Sequence, residues 1–183
     1  MAIPLLAVVS GPAGSGTTDL ADALAAAIPC PVVRRDEIKE GIVHAVGNYT
    51  FAPTDPIAGK TFDTFFGLLH WLVEAGVTHV AEASFQRPRW EAGLQPLLDT
   101  ARIRVIRCQT DAAVARERIA QRADETPARR AIHGYASLSQ PFDSFKEGFD
   151  SFEPIGLPVP SIEVDTTDGY EPSLDEIVAF VNR

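Results

Sequence analysis

Residues 5–24 read LLAVVSGPAGSGTTDLADAL, and three patterns follow one another in them. The apolar run that begins at Ile3 and ends at Ser10 shows no alternation, as expected of a strand buried on both faces. From Thr17 to Ile28 the pattern turns helical. Between them lies a loop in which Gly11, Gly16 and Thr18 fit the spacing G-x-x-x-x-G-K-[ST], with Ala13, Gly14 and Ser15 inside it. Glycines here let successive backbone N–H groups turn toward one anion, and the N-terminus of the next helix adds partial positive charge. The stretch reads as a phosphate-binding loop, with Gly11 to Thr18 set against a nucleotide's phosphates and the Thr18 hydroxyl against Mg²⁺.

Position 17 departs from that pattern. It holds Thr17 where the spacing calls for a lysine, whose ammonium would reach the β- and γ-phosphates. Loss of one charge-assisted donor costs about 1.5–3 kcal/mol in binding. Where the donor acts in a transition state, the loss is about 10²–10³ in rate. Asp19 adds a carboxylate to the first helical turn, which suits the helix dipole but not a phosphate. The chain has three lysines, Lys39, Lys60 and Lys146, which read as solvated; Lys39 falls nearest the loop edge. Arginines are the better substitutes, because they stay charged and grip phosphate bidentately.

A chain of 183 residues, 45% hydrophobic and 22% charged, suits one globular domain spanning 1–183. No apolar run reaches the ~18 residues of a membrane helix, and no basic residue precedes the first run, so a cytoplasmic protein is expected. Cys30 and Cys108 lack metal or redox spacing and read as small buried hydrophobes. The net charge of −9 makes nucleic acid a poor partner and a small molecule a better one.

Further strands are expected at 31–36, 77–85, 103–109 and 160–166, with helices between them. Asp36 is expected to cap the helix after the second strand, and Ser173 with Glu176 to form a capping box on the last. The segment from Asp124 to Ser139 shows no clean period and suits a lid at about 123–137. Phe62, Phe65, Phe66, Leu69 and Trp71 read as core. Phe142, Phe145, Phe149 and Phe152 form a helical stripe expected to cover the sheet, the alternatives being the wall of an apolar acceptor site or a dimer contact. The fold class is α/β: a doubly wound parallel five-stranded sheet with helices on both faces.

Ligands in such a sheet bind beyond the carboxyl ends of the strands. That edge receives Arg34, Arg35 and Asp36 after the second strand. A carboxylate there accepts the proton of an acceptor hydroxyl and orients its oxygen, and the arginines bind an anionic group of the acceptor. Neighbours on a strand face opposite ways, so one of the two arginines is expected to point elsewhere. Glu82 and Arg87 follow the third strand and are expected to bind substrate: Glu82 as a carboxylate for Mg²⁺-bound water or acceptor, or else as an ion-pair partner of Arg87 or Arg89. Arg118 and Arg122, four apart, share a helix face from which an arginine reaches developing phosphate charge. His133 has no sequence-close partner to make it a metal ligand.

The phosphate loop, RRDEIKEG (34–41), AEASFQRPRW (81–90), RERIAQR (116–122) and VDTTDGYEPSLDEI (164–177) together resemble the P-loop kinase-like ATP-binding proteins. The closest likeness is to the branch of zeta-toxin-like, polynucleotide-kinase-like and chloramphenicol-phosphotransferase-like enzymes. The resemblance implies ATP with Mg²⁺ and phosphoryl transfer to a hydroxyl of a small molecule. It also implies Asp36 as the acceptor-side base, Arg118 and Arg122 as lid or nucleotide contacts, and Asp165 to Thr167 near the adenine. Thr17 departs from the family's lysine, and Glu82 stands where it usually has aspartate. The alternative is a nucleotide- or phosphate-binding pseudoenzyme that signals through a partner; either form is expected to be a monomer or homodimer.

Overall fold

The computed structural model describes residues 3–52 and 54–183. The first strand, β1 (Leu5–Ser10), is buried along its whole length. It lies at the centre of a five-stranded sheet with β2 (Val32–Arg34), β3 (His79–Ala83), β4 (Arg102–Gln109) and β5 (Ser161–Asp165). All pairings are parallel and the order is β2-β3-β1-β4-β5. This is the doubly wound α/β sheet expected from the sequence.

Alternation along β1 sends Leu6 and Val8 to one face and Leu5, Ala7 and Val9 to the other. On the first face pack α3 (Ala58–Glu74) and α4 (Arg87–Leu94). On the second pack α1 (Thr17–Ala27) and α8 (Leu174–Asn182). The first face is aromatic: Phe65, Phe66, Phe85 and Trp90 meet with ring centroids 5.1–5.9 Å apart. Gly93 makes that packing possible, since a Cβ there would stand 2.1 Å from the Phe66 ring.

Several sequence expectations change. The second strand stops at Arg34, and α2 (Arg35–Val46) begins at once. Asp36 therefore lies in the first helical turn, and Arg34 occupies the cap position without a side-chain cap bond. The aperiodic segment is helical at its centre, α6 (Pro127–His133), after α5 (Ala112–Glu125). A seven-residue helix is too short to display a period, and Pro127 hides its start. The phenylalanine stripe on α7 (Phe142–Asp150) does not cover the sheet. Phe145 instead packs with Ala112, Ala115 and Ile119 of α5. Trp71 is 62% exposed and leaves the core to Phe65, Phe66 and Leu69. The Ser173–Glu176 capping box forms as expected. Among the described residues no helix is long and apolar enough to cross a membrane.

The loop from α2 to α3 is anchored internally. Lys39, 3% exposed, forms an ion pair with Asp55 at 2.7 Å and lies 5.6 Å from the ring centroids of both Tyr49 and Phe51. The reading of Lys39 as a solvated lysine is thus overturned, and its charge is already spent. The same loop meets α6: Tyr49 Oη donates to the Ile132 carbonyl at 3.5 Å, and the Phe51 ring lies against Gly134.

Candidate active site

The loop after β1 takes the shape its glycines permit. Gly14 and Gly16 have φ of 83° and 77°, a region costly for residues with a Cβ. A Cβ on Gly14 would also stand 2.5 Å from the Ala115 carbonyl oxygen. Gly16 precedes α1 without a side-chain cap, which leaves the first N–H groups of the helix free for an anion. The Thr166 hydroxyl donates to the Ser15 carbonyl at 2.8 Å and fastens the loop to the segment after β5. Ser15 Oγ is buried without a hydrogen-bond partner.

A cavity of about 980 Å³ opens beyond this loop, within the usual range for small-molecule sites. Ala13, Gly14, Gly16, Thr17 and Thr18 line it; so do Arg35 and Asp36 of α2, and Arg118 and Arg122 of α5. Five expected site residues stand off from it. Gly11 and Ser15 form the underside of the loop. Arg34 turns to Asp22 and to Glu37, 2.8 Å away. Arg87 pairs with Glu91 at 2.8 Å. Thr167 bonds the Thr110 hydroxyl at 3.0 Å, beside the wall rather than in it.

Thr17 and Glu82 meet at the cavity floor. Thr17 Oγ1 donates to Glu82 Oε1 at 2.6 Å, and both residues are 6% exposed. The partner of Glu82 is therefore the residue in the lysine position, and neither Arg87 nor Arg89 pairs with it. Burial pushes the Glu82 carboxyl above its ordinary pKa, and the Thr17 bond only partly opposes this. Nearby Cys108 is pushed up to about 12, chiefly by burial, and is inert.

Asp36 lies at the other end. Its carboxylate accepts from Arg35 Nη1 at 2.7 Å, with Arg129 Nη2 at 3.8 Å and His133 Nδ1 at 4.0 Å. Burial alone would raise its pKa, but His133, Arg35 and Arg129 outweigh it and hold it below the ordinary carboxylate value. Arg129 and His133 come from α6, which is held on α2 through Glu40: Arg129 Nε donates to Glu40 Oε1 at 2.7 Å, and His133 Nε2 lies 3.0 Å from the same oxygen. Tyr135, at the end of this segment, has φ of 37° and lines the cavity.

The two α5 arginines differ. Arg118 Nη2 donates to the carbonyls of Thr166 and Thr167 at 2.6 and 3.2 Å and so ties α5 to the segment after β5. Arg122 reaches the cavity with no hydrogen bond or ion pair among the described residues. Arg89 lines the cavity where Arg87 does not. The helix phase explains it: at about 100° per residue, positions 87 and 89 point nearly opposite ways. The sequence showed both arginines but not where α4 begins. Glu40 and Tyr135 also went unread, because their partners lie far away in the chain.

Comparison with known proteins gives the family. A model of the AAA domain family matches residues 6–139. The chain belongs to the AAA domain family. This AAA domain has the P-loop kinase fold. Over 99% of its length it superimposes on 98% of a putative kinase from Chloroflexus aurantiacus, at a TM-score of 0.80 and 22% identity. Over its full length it matches the full length of Mycobacterium tuberculosis APS kinase, solved with AMPPNP and APS, at a TM-score of 0.66 and 13% identity. A gluconokinase from Sinorhizobium meliloti aligns over 99% of this chain and 93% of its own, at 0.58 and 15%. No curated protein sequence matches significantly.

Proposed function

We propose that this AAA domain transfers the γ-phosphoryl group of Mg·ATP to a hydroxyl of a small molecule. One observation carries the reading: a single cavity is lined by the glycine loop, by the Asp36 carboxylate of α2 and by Arg122, which has no partner among the described residues. The chain's own groups suit the phosphates. Two left-handed glycines and an uncapped helix N-terminus make a cradle that an anion satisfies. Mg²⁺ usually needs one or two protein oxygens besides phosphate and water, and the Thr18 hydroxyl in the cavity supplies one. Bound Mg·ATP would supply the phosphoryl group and neutralise part of its charge.

The roles of the residues follow. Asp36 accepts a hydrogen bond from the acceptor hydroxyl, orients its oxygen, and receives the proton as the O–P bond forms and ADP leaves. Held below the ordinary carboxylate value, it is ionised across the neutral range and acts more by orientation than by basicity. Arg122 meets the charge that the absent lysine would have met. The segment 123–137, with α6, acts as the lid, and Arg118 steadies the nucleotide end through Thr166 and Thr167. The Thr17–Glu82 bond favours a second reading, a pseudoenzyme that binds nucleotide without turnover, because it fills the lysine position with a neutral, satisfied group.

Calorimetry with ATP, GTP and ADP, each with and without Mg²⁺, tests the proposal. Micromolar, Mg²⁺-dependent ATP binding is expected. No binding of any nucleotide at millimolar concentration would overturn both readings.

A further inference from the structure

The cavity has more cationic capacity than a nucleotide uses, and the excess lies at the far end from the phosphate loop. Arg35 follows β2, two strands from β1 in the sheet order. Neighbouring strands lie about 4.8 Å apart, so β2 ends roughly 10 Å from the loop. Arg35 gives one Nη to Asp36, while its Nε is buried with no partner. Its guanidinium carbon lies 5.9 Å from the Phe85 ring centroid, within reach of a cation–π contact. Arg89 projects from α4, the helix after β3, into the same cavity. It is exposed and its guanidinium makes no hydrogen bond or ion pair among the described residues. Gln86 and Ser84 complete this wall with neutral donors.

Arg89 holds charge that the described residues do not consume. The chain carries −9 overall, and several of its other arginines are consumed: Arg34 by Asp22 and Glu37, Arg87 by Glu91, Arg129 by Glu40. Arg89 has a carboxylate partner nowhere among the described residues, and Arg35 keeps unsatisfied donor capacity beside the acceptor carboxylate. Guanidinium groups of this kind match a planar carboxylate or a tetrahedral phosphate by paired N–H donors.

We propose that the acceptor is an anionic alcohol: its hydroxyl faces Asp36 while a carboxylate or phosphate group on the same molecule is bound by Arg35 and Arg89. This inference rests on the kinase reading above. Arg89 is then a specificity residue absent from the loop motif, and neutral polyols are poor acceptors because they offer no anion to Arg89 or to the remaining donors of Arg35.

The test separates the two proposals. The protein is first saturated with Mg·ADP, which fills the phosphate loop, and ADP binding itself is read by calorimetry. Glycerol, glycerate and glycerol 3-phosphate are then titrated as a matched series, with inorganic phosphate as the bare anion. The expected result is binding of at least one of the anionic probes and none of glycerol. Arg89→Gln, a change at an exposed site, is expected to weaken that binding about ten- to a hundredfold. Arg183→Gln, an exposed change after α8 and beside the start of β4, should not change it. Preference for glycerate over both phosphates would identify a carboxylate, and the reverse a phosphate. Failure of ADP to bind would remove the kinase reading and this proposal with it. ADP binding with no anion binding, or anion binding unchanged by Arg89→Gln, would overturn this proposal alone.

Discussion

The two ends of the cavity handle negative charge in different ways. At the loop end the groups are fixed and neutral: backbone N–H donors, the hydroxyls of Thr17 and Thr18, and a helix terminus, with Glu82 beneath and Asp19 beside them. Across from it stand Arg35, Arg89 and Arg122, with Arg129 and His133 behind Asp36. The loop is tied by the Thr166 hydroxyl to the segment after β5 and lies close against α5 at Gly14. The cations sit on long side chains and on a short helix. A phosphate site can therefore shift its charge from the loop to the walls, but the charge then arrives with the walls rather than waiting in the loop. Binding at such a site depends on geometry first and on closure second.

The comparison breaks most sharply at the acceptor end. Asp36→Asn is expected to lower phosphoryl transfer by about 10²–10⁴, with nucleotide affinity by calorimetry nearly unchanged. Equal loss of both would make Asp36 a purely structural partner of Arg35. Next comes the wall charge. Arg122→Gln should cost about 10²–10³ in turnover, and Thr17→Lys placed in that background should recover ATP affinity by about ten- to a hundredfold. A lysine that brings no gain would mean that the site is built around the threonine.

The smallest effect concerns the floor. Glu82 has a folded pKa raised above its ordinary 4.5. The folded state thus holds that proton longer than the unfolded chain, so the associated stability is full below about pH 4.5 and declines as pH rises through the folded value. Glu82→Gln keeps an oxygen for the Thr17 hydroxyl and removes the buried charge. Its melting temperature should match the parent's at low pH, rise above it as pH passes 4.5, and keep a constant lead once pH exceeds the folded value. A gap that shrinks as pH rises would contradict the assigned burial effect.

Much of this was legible in the chain because it is local. The loop, the buried strand before it and the capping box at Ser173 each announce themselves within ten residues. The face of each arginine did not. Arg87 and Arg89 differ by where α4 starts, and Arg34 and Arg35 by where β2 stops, boundaries that packing sets. Lys39 read as solvated because Asp55, its partner, lies sixteen positions on, and the two rings around it lie in an irregular loop. His133 lacked a neighbour in sequence and gained Glu40 and Asp36 only through the fold.

Tyr49 and Phe51 join two helices that are distant in the chain. Both rings flank the Lys39 ammonium of α2, and both also touch the end of α6, Tyr49 at the Ile132 carbonyl and Phe51 at Gly134. Raising α6 from α2 must therefore break the Tyr49 bond and peel Phe51 from Gly134, so two aromatic rings set how far the helices can part.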